Sequence, residues 1–165
     1  QSLTWLMRNV VAYSTRYNHV YTTQYLEGIA AWLPPGKLSH NLLELLKMAW
    51  ELQLYALPSK IRWSRLGRCL TLLSAVDQAH QQDIGNCPHW YLGIMVVDPT
   101  YQGRGVGGRL LQPILQRASN EGVVCYLVTF TEQAVRFYQK HGFEIVQLQK
   151  TAPDAPPFWT MKRKP

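Results

Sequence analysis

An α/β fold with mixed sheet pairing follows from three stretches of this 165-residue chain. Residues 90–97 (WYLGIMVV) form a nearly continuous apolar run of strand length, the pattern of a buried strand. Asp98-Pro99 closes it, because proline cannot donate to a ladder. Gly103, Gly105, Gly107 and Gly108 follow, and behind them Leu110, Leu111, Ile114, Leu115 and Ala118 recur at helical spacing. Residues 123–130 (VVCYLVTF) make a second strand. Strand, glycine turn, helix and strand compose a βαβ unit whose two strands should run parallel, joined by a right-handed connection.

The other elements take their places around this unit. Leu3, Leu6, Met7 and Val10 give residues 1–17 the spacing of an amphipathic helix. Residues 19–24 and 26–33 are strand candidates joined by a turn at Gln24-Tyr25, and Pro34-Pro35-Gly36 stops the second. A densely apolar helix is expected over residues 39–57, with Asn41 and Glu44 as a capping pair and Pro58 as terminator. A second is expected over residues 59–79, with Trp63, Leu66, Leu70 and Leu73 on one side. Pro113 should interrupt the helix behind the glycines. Thr131 can cap a further helix, with Glu132 at its positive end and Gly142 beyond its last turn. Residues 143–150 and 158–163 supply the last strands, separated by a loop at 152–157.

No linker or repeat divides the chain, so residues 1–165 read as a single domain. The net charge of +7 favours acidic partners, among them phosphate-bearing ligands, nucleic acid and anionic membranes. Lys60, Arg62, Arg65 and Arg68 spread over more than half of a helix circumference at about 100° per residue, which describes a solvated face and not a nucleic-acid stripe. No apolar run approaches the ~18 residues of a membrane span. Cys69, Cys87 and Cys125 are too scattered for a disulfide framework or a zinc site, so no metal is expected and a cytoplasmic location fits best. The expectation is a protein with no membrane or nucleic-acid partner.

The glycine turn is where chemistry concentrates. The first amides of the following helix lack intrahelical partners and carry the positive end of its dipole, so they suit a pyrophosphate. Gly103-x-Gly105-x-x-Gly108 fits a dinucleotide fingerprint, but the acidic residue that fingerprint needs about twenty positions on is missing; Glu132 starts a helix instead. The same residues read as Q-x-x-G-x-G over Gln102, Gly105 and Gly107, with FYQKHGF (residues 137–143) after the next strand. Together these motifs resemble the acetyl-CoA-binding core of the GNAT-type N-acetyltransferase superfamily, densest over residues 89–143.

That resemblance implies a mostly antiparallel mixed sheet in which one parallel strand pair splays apart to admit acetyl-CoA, with helices on its flanks. It places the pantetheine on the backbone of Met95, Val96 and Val97. The pyrophosphate falls on Gln102, Gly103, Arg104, Gly105, Val106 and Gly107. Thr131 stands where relatives often have a cofactor-contacting asparagine. Tyr138 stands at the family's tyrosine acid, which protonates the departing thiolate. The family's opening strand and helix are not found in this stretch, and the helical insertion at 39–79 exceeds the family minimum. That insertion suits extra core or a dimer surface, with a lid the alternative, and leaves a homodimer open.

Few residues are needed for the implied chemistry. An alkyl amine with a pKa near 10.4 is neutral only about once in a thousand molecules at pH 7, so a base helps without being indispensable. The central strand lacks the glutamate many relatives use, which leaves His89 and Glu27 as candidate bases. A backbone N–H near Val97 could meet the oxyanion if the strand bulges there. The expected activity is acetyl transfer from acetyl-CoA to a primary amine of a small molecule or peptide. A non-catalytic acyl-CoA or nucleotide-binding module is the alternative. The acceptor is not readable, since Trp32, Trp50, Trp63 and Trp90 suit a core as well as a pocket.

Overall fold

The computed structural model of the chain describes residues 19–36 and 63–165, and the helices expected over 1–17 and 39–57 lie outside these residues. The described elements are β1 (Val20–Thr22), β2 (Gly28–Leu33), α1 (Trp63–Asp83), β3 (His89–Val97), α2 (Val106–Glu121), β4 (Val124–Thr129), α3 (Glu132–Gln139), β5 (Glu144–Gln149) and β6 (Phe158–Arg163). The six strands form one sheet in the order β1-β2-β3-β4-β6-β5. Only β3 and β4 run parallel; the other four pairings are antiparallel. The fold is therefore mixed α/β, with the parallel pair at the centre as the βαβ pattern requires.

Alternation along the strands divides the side chains between two faces. Trp90 and Leu92 of β3, with Cys125 and Leu127 of β4, join Leu111, Ile114 and Ala118 of α2 and Val135 of α3 in the apolar core. Leu111 and Ile114 are fully buried, each contributing about 1.5–3 kcal/mol. The opposite face carries polar and aromatic side chains against α1. Tyr126 donates to the Asp83 carboxylate at 2.9 Å, and His80 and His89 approach at 2.8 Å between their Nε2 atoms.

One irregularity resets the alternation. Trp32 pairs with Leu92 and Ala31 with Ile94, so Gly93 is an extra residue in β3. This bulge carries Met95 and Val97, not Ile94 and Val96, onto the core side, and leaves Val96 half exposed. Bulges bend and twist the strand that holds them. The parallel ladder runs from His89–Val124 to Leu92–Leu127 and ends there. Beyond it the β4-facing edge of β3 has no strand partner among the described residues. The strand bulges at Gly93 and not near Val97, and within the run at 90–97 Trp90 and Leu92 are the most deeply buried.

Several boundaries differ for local reasons. β2 begins at Gly28 and not at residue 26 because Leu26 has φ 55, which no extended strand accommodates. The turn at Gln24-Tyr25 holds, while β1 is shorter than residues 19–24. α1 continues past residue 79 to Asp83, since no breaker occurs before Gly85. Its Leu70 and Leu73 are exposed, and the buried side is that of Ala79 and His80. Pro113 stands inside an uninterrupted α2, where it is exposed. Thr131 caps α3 by accepting from the Ala134 amide, and Gly142 (φ 84) follows the helix.

Burial makes the inner tyrosines reluctant acids. Desolvation pushes Tyr91 and Tyr138 up to about 12, with Asp77 adding to the effect at Tyr91. Tyr126 rises too, through burial first and then its bond to Asp83. A phenol whose folded pKa exceeds its unfolded value of about 10 holds its proton longer in the native state. The resulting stability is complete below pH 10 and is lost as pH rises through the folded values. The unfolding free energy from denaturant titration should therefore be flat from pH 7 to 9 and fall above pH 10, by up to roughly 1.4 kcal/mol per pH unit for each such tyrosine, with the midpoint falling in step. A midpoint that stays flat to pH 12 would mean these hydroxyls reach solvent.

Candidate functional site

The end of β3 runs directly into a rigid turn. Asp98 Oδ1 accepts from the Thr100 amide at 2.8 Å and from its hydroxyl at 2.6 Å, starting a short 3-10 turn at Pro99–Tyr101. Gln102 Nε2 reaches back to the Val97 carbonyl at 3.1 Å. Gly103 (φ 76) and Gly105 (φ 75) then adopt left-handed backbone, which only glycine enters without strain. Gly105 is the N-cap of α2 and offers no side-chain cap. The amides of Val106, Gly107 and Gly108 thus have no intrahelical acceptor, and the helix dipole adds positive potential there.

These amides border a cleft of about 460 Å³. Met95 and Val97 of β3 form one wall, the turn forms the end, and Thr131, Ala134, Phe137, Tyr138 and His141 form the other wall. Absent side chains shape it. A Cβ on Gly107 would lie 2.8 Å from Met95 Cε and 2.9 Å from Phe137 Cζ. A Cβ on Gly108 would lie 2.9 Å from His141 Nε2. A charged, extended ligand fits this shape: anion-seeking amides at one end, a strand edge without a strand partner along one side, and an apolar inner wall. The residues present therefore suit an acyl-CoA.

Tyr138 is buried, and its hydroxyl lies 3.7 Å from Met95 Sδ. Desolvation lifts its pKa to about 12, so the phenol keeps its proton at neutral pH. Phe137 packs edge-on to Tyr138 and against the His141 ring at 4.5 Å. His141 Nδ1 donates to the Phe137 carbonyl at 2.9 Å, which turns the other ring nitrogen toward α2.

Of the residues the sequence singles out, Met95, Val97, Gln102, Gly103, Gly105, Val106, Gly107, Thr131 and Tyr138 line this cleft. The Val96 side chain points away, and the Arg104 guanidinium rests over the Tyr101 ring instead. Neither candidate base lines it. His89 begins β3, at the closed end of the parallel ladder, and its ring is engaged on both sides: Nδ1 donates to the Cys87 carbonyl at 2.7 Å and Nε2 meets His80. Glu27 lies beyond α2, facing Arg109 across a second cavity. His141 and Phe137 are wall residues that composition could not reveal. The only signal was their place within FYQKHGF.

Gly105 tests the backbone argument separately from the space argument, because the nearest atom to an added Cβ there is 3.9 Å away. Valine should lower stability by about 1–2 kcal/mol through left-handed strain, and asparagine by clearly less. Equal denaturation midpoints for the two variants would contradict the assigned conformation.

Comparison with known proteins agrees with this geometry. Residues 68–145 match the acetyltransferase (GNAT) domain family. A 54-residue stretch, 33% of this chain, is 41% identical to 34% of the N-alpha-acetyltransferase RimI of Mycobacterium tuberculosis. The matched stretches span between 8% and 34% of the length of the curated relatives. Among solved structures, a histone acetyltransferase HPA2 and related acetyltransferase of Corynebacterium glutamicum superposes over 97% of this chain and 74% of its own, with TM-score 0.55 and 19% identity. The polyamine N-acetyltransferase of Drosophila melanogaster superposes over 85% of this chain and 70% of its own, with TM-score 0.53 and 21% identity. At these identities the two structures speak for the fold alone.

Proposed function

We propose that this chain, whose residues 68–145 match the GNAT acetyltransferase domain family, transfers an acetyl group from acetyl-CoA to a primary amine of a small molecule or peptide. The observation that carries this reading is the meeting, in one cleft, of a strand edge without a strand partner, a glycine turn with open amides and a buried, protonated tyrosine. The 41% identity to a protein named for N-alpha acetylation supports an amine acceptor.

Each part has a task set by its chemistry. The backbone of Met95, Val96 and Val97 takes the pantetheine amides as a missing strand would be taken. The amides from Gln102 to Gly107 take the pyrophosphate. Thr131 Oγ1 accepts from the Ala134 amide as the α3 cap, which leaves its O–H free to donate to the cofactor where relatives use an asparagine. When bound, acetyl-CoA supplies the thioester from which the acetyl group leaves. Tyr138 holds a proton at Oη for the departing thiolate. The burial that makes the phenol a weak acid also disfavours a thiolate beside it, so the two proton affinities rise together. With neither His89 nor Glu27 at the cleft, the amine's proton passes to water. The Gly93 bulge replaces Val97 as the irregular backbone nearest the closed end, where an amide can face the developing oxyanion.

Tyr138→Phe separates an enzyme from a binding module. Loss of the hydroxyl should leave acetyl-CoA affinity within about threefold and reduce kcat by roughly 10² to 10⁴. Calorimetry and a coupled assay for free thiol with a panel of amines measure both. Unchanged kcat would make the ring a packing residue. Acetyl-CoA binding without thiol release by the parent, with any amine, would favour the acyl-CoA-binding module.

A further inference from the structure

A second cavity, of about 370 Å³, lies between the β1–β2 loop and α2, and no residue lines both it and the cleft. Glu27 is its distinctive feature. The Glu27 side chain is only 17% exposed, yet among the described residues its one ionic contact is Arg109 Nη2 at 3.8 Å, too long for a hydrogen bond. Arg109 is itself 60% exposed and turns another nitrogen to the Arg104 carbonyl at 3.4 Å. A partly enclosed carboxylate ordinarily gathers hydrogen-bond donors from the protein around it. Here the carboxylate faces an open cavity instead.

The backbone holds it there against a local preference. Leu26 adopts φ 55, a conformation unusual for leucine, and the Glu27 amide donates to Thr23 Oγ1 at 2.9 Å. The Glu27 carbonyl accepts from Asp98 at 2.9 Å, so the loop is tied to the end of β3. Strain of this kind recurs where a side chain is aimed at a ligand. Tyr21 and Tyr25 border the same cavity, Tyr25 being 77% exposed. Aromatic rings beside a carboxylate are the elements that hold an organic cation.

We infer that the Glu27 cavity is a second binding site, for a small organic ammonium ion with an apolar or aromatic body, distinct from the acyl-CoA cleft. The ammonium supplies the donors that Glu27 lacks, and its body packs against Tyr21 and Tyr25. Arg109 is the internal competitor that such a ligand displaces. The site does not depend on the catalytic reading, since it is separated from the cleft by α2.

Calorimetric titration of the full chain with 2-phenylethylamine, without acetyl-CoA, tests this directly. Saturable binding is expected, with 2-phenylethanol, which lacks the charge, at least tenfold weaker. Glu27→Gln should weaken the amine tenfold or more. Arg109→Met should tighten it, an opposite response that a misfolded variant cannot imitate; circular dichroism confirms both folds. Absence of saturable amine binding to the parent, or equal affinity in Glu27→Gln, would overturn the inference whatever the outcome for acetyl-CoA. If the amines that bind are also acetylated, inhibition at high amine that disappears in Glu27→Gln identifies the ligand as a second acceptor molecule. Binding by the non-acetylatable N,N-dimethyl analogue with no such inhibition identifies a separate effector.

Discussion

The parallel ladder between β3 and β4 stops after four residue pairs, and the site depends on that stop. A strand edge released from its neighbour must find other partners for its amides and carbonyls, or leave them to water. Gly93 provides the means. Its extra residue bends β3 and exchanges the faces of the strand, so Met95 and Val97 flank the gap while Val96 turns outward. Without the bulge Ile94 and Val96 would occupy the core side, and the turn beyond would leave the sheet on a different heading.

The turn is held from several directions. Gln102 returns to the Val97 carbonyl, Asp98 closes the 3-10 turn, and the Glu27 carbonyl receives the Asp98 amide. Such fastening matters because backbone amides bind an anion well only when they need no reorganisation to face it. Small residues complete the arrangement: Gly107 leaves room for Met95 and Phe137, and Gly108 leaves room for His141. The inner wall of the cleft is therefore aromatic, and burial keeps the Tyr138 phenol protonated.

On the other face of the sheet, α1 rests on a polar layer and not on an apolar one. The Asp83 carboxylate takes the Tyr126 hydroxyl and the Gln147 amide, while His80 engages His89 and lies 5.0 Å from the Tyr126 ring. Buried polar groups of this kind are tolerated when satisfied by one another. His89 belongs to this layer, held by His80 and the Cys87 carbonyl at the head of the central strand.

The sequence by itself determined the βαβ unit, the phosphate-type turn and the tyrosine of FYQKHGF. These are local: strand length, a proline stop, glycine spacing and helical period act within a few residues. The cap at Thr131 and the strands β4, β5 and β6 were legible for the same reason, to within a residue or so. Tertiary structure alone decided what depends on contacts across the sheet. An isolated glycine such as Gly93 in an apolar strand run is a local mark of a bulge, but only the register of β3 against β2 fixes that the extra residue lies there. The exposure of Leu70 and Leu73 and the burial of His80 follow from how α1 meets the sheet, which helical periodicity cannot specify. The two candidate bases were chosen by residue type, but a carboxylate or an imidazole serves as a base only where it stands beside the reacting amine, and distance in space is set by packing, not by distance along the chain.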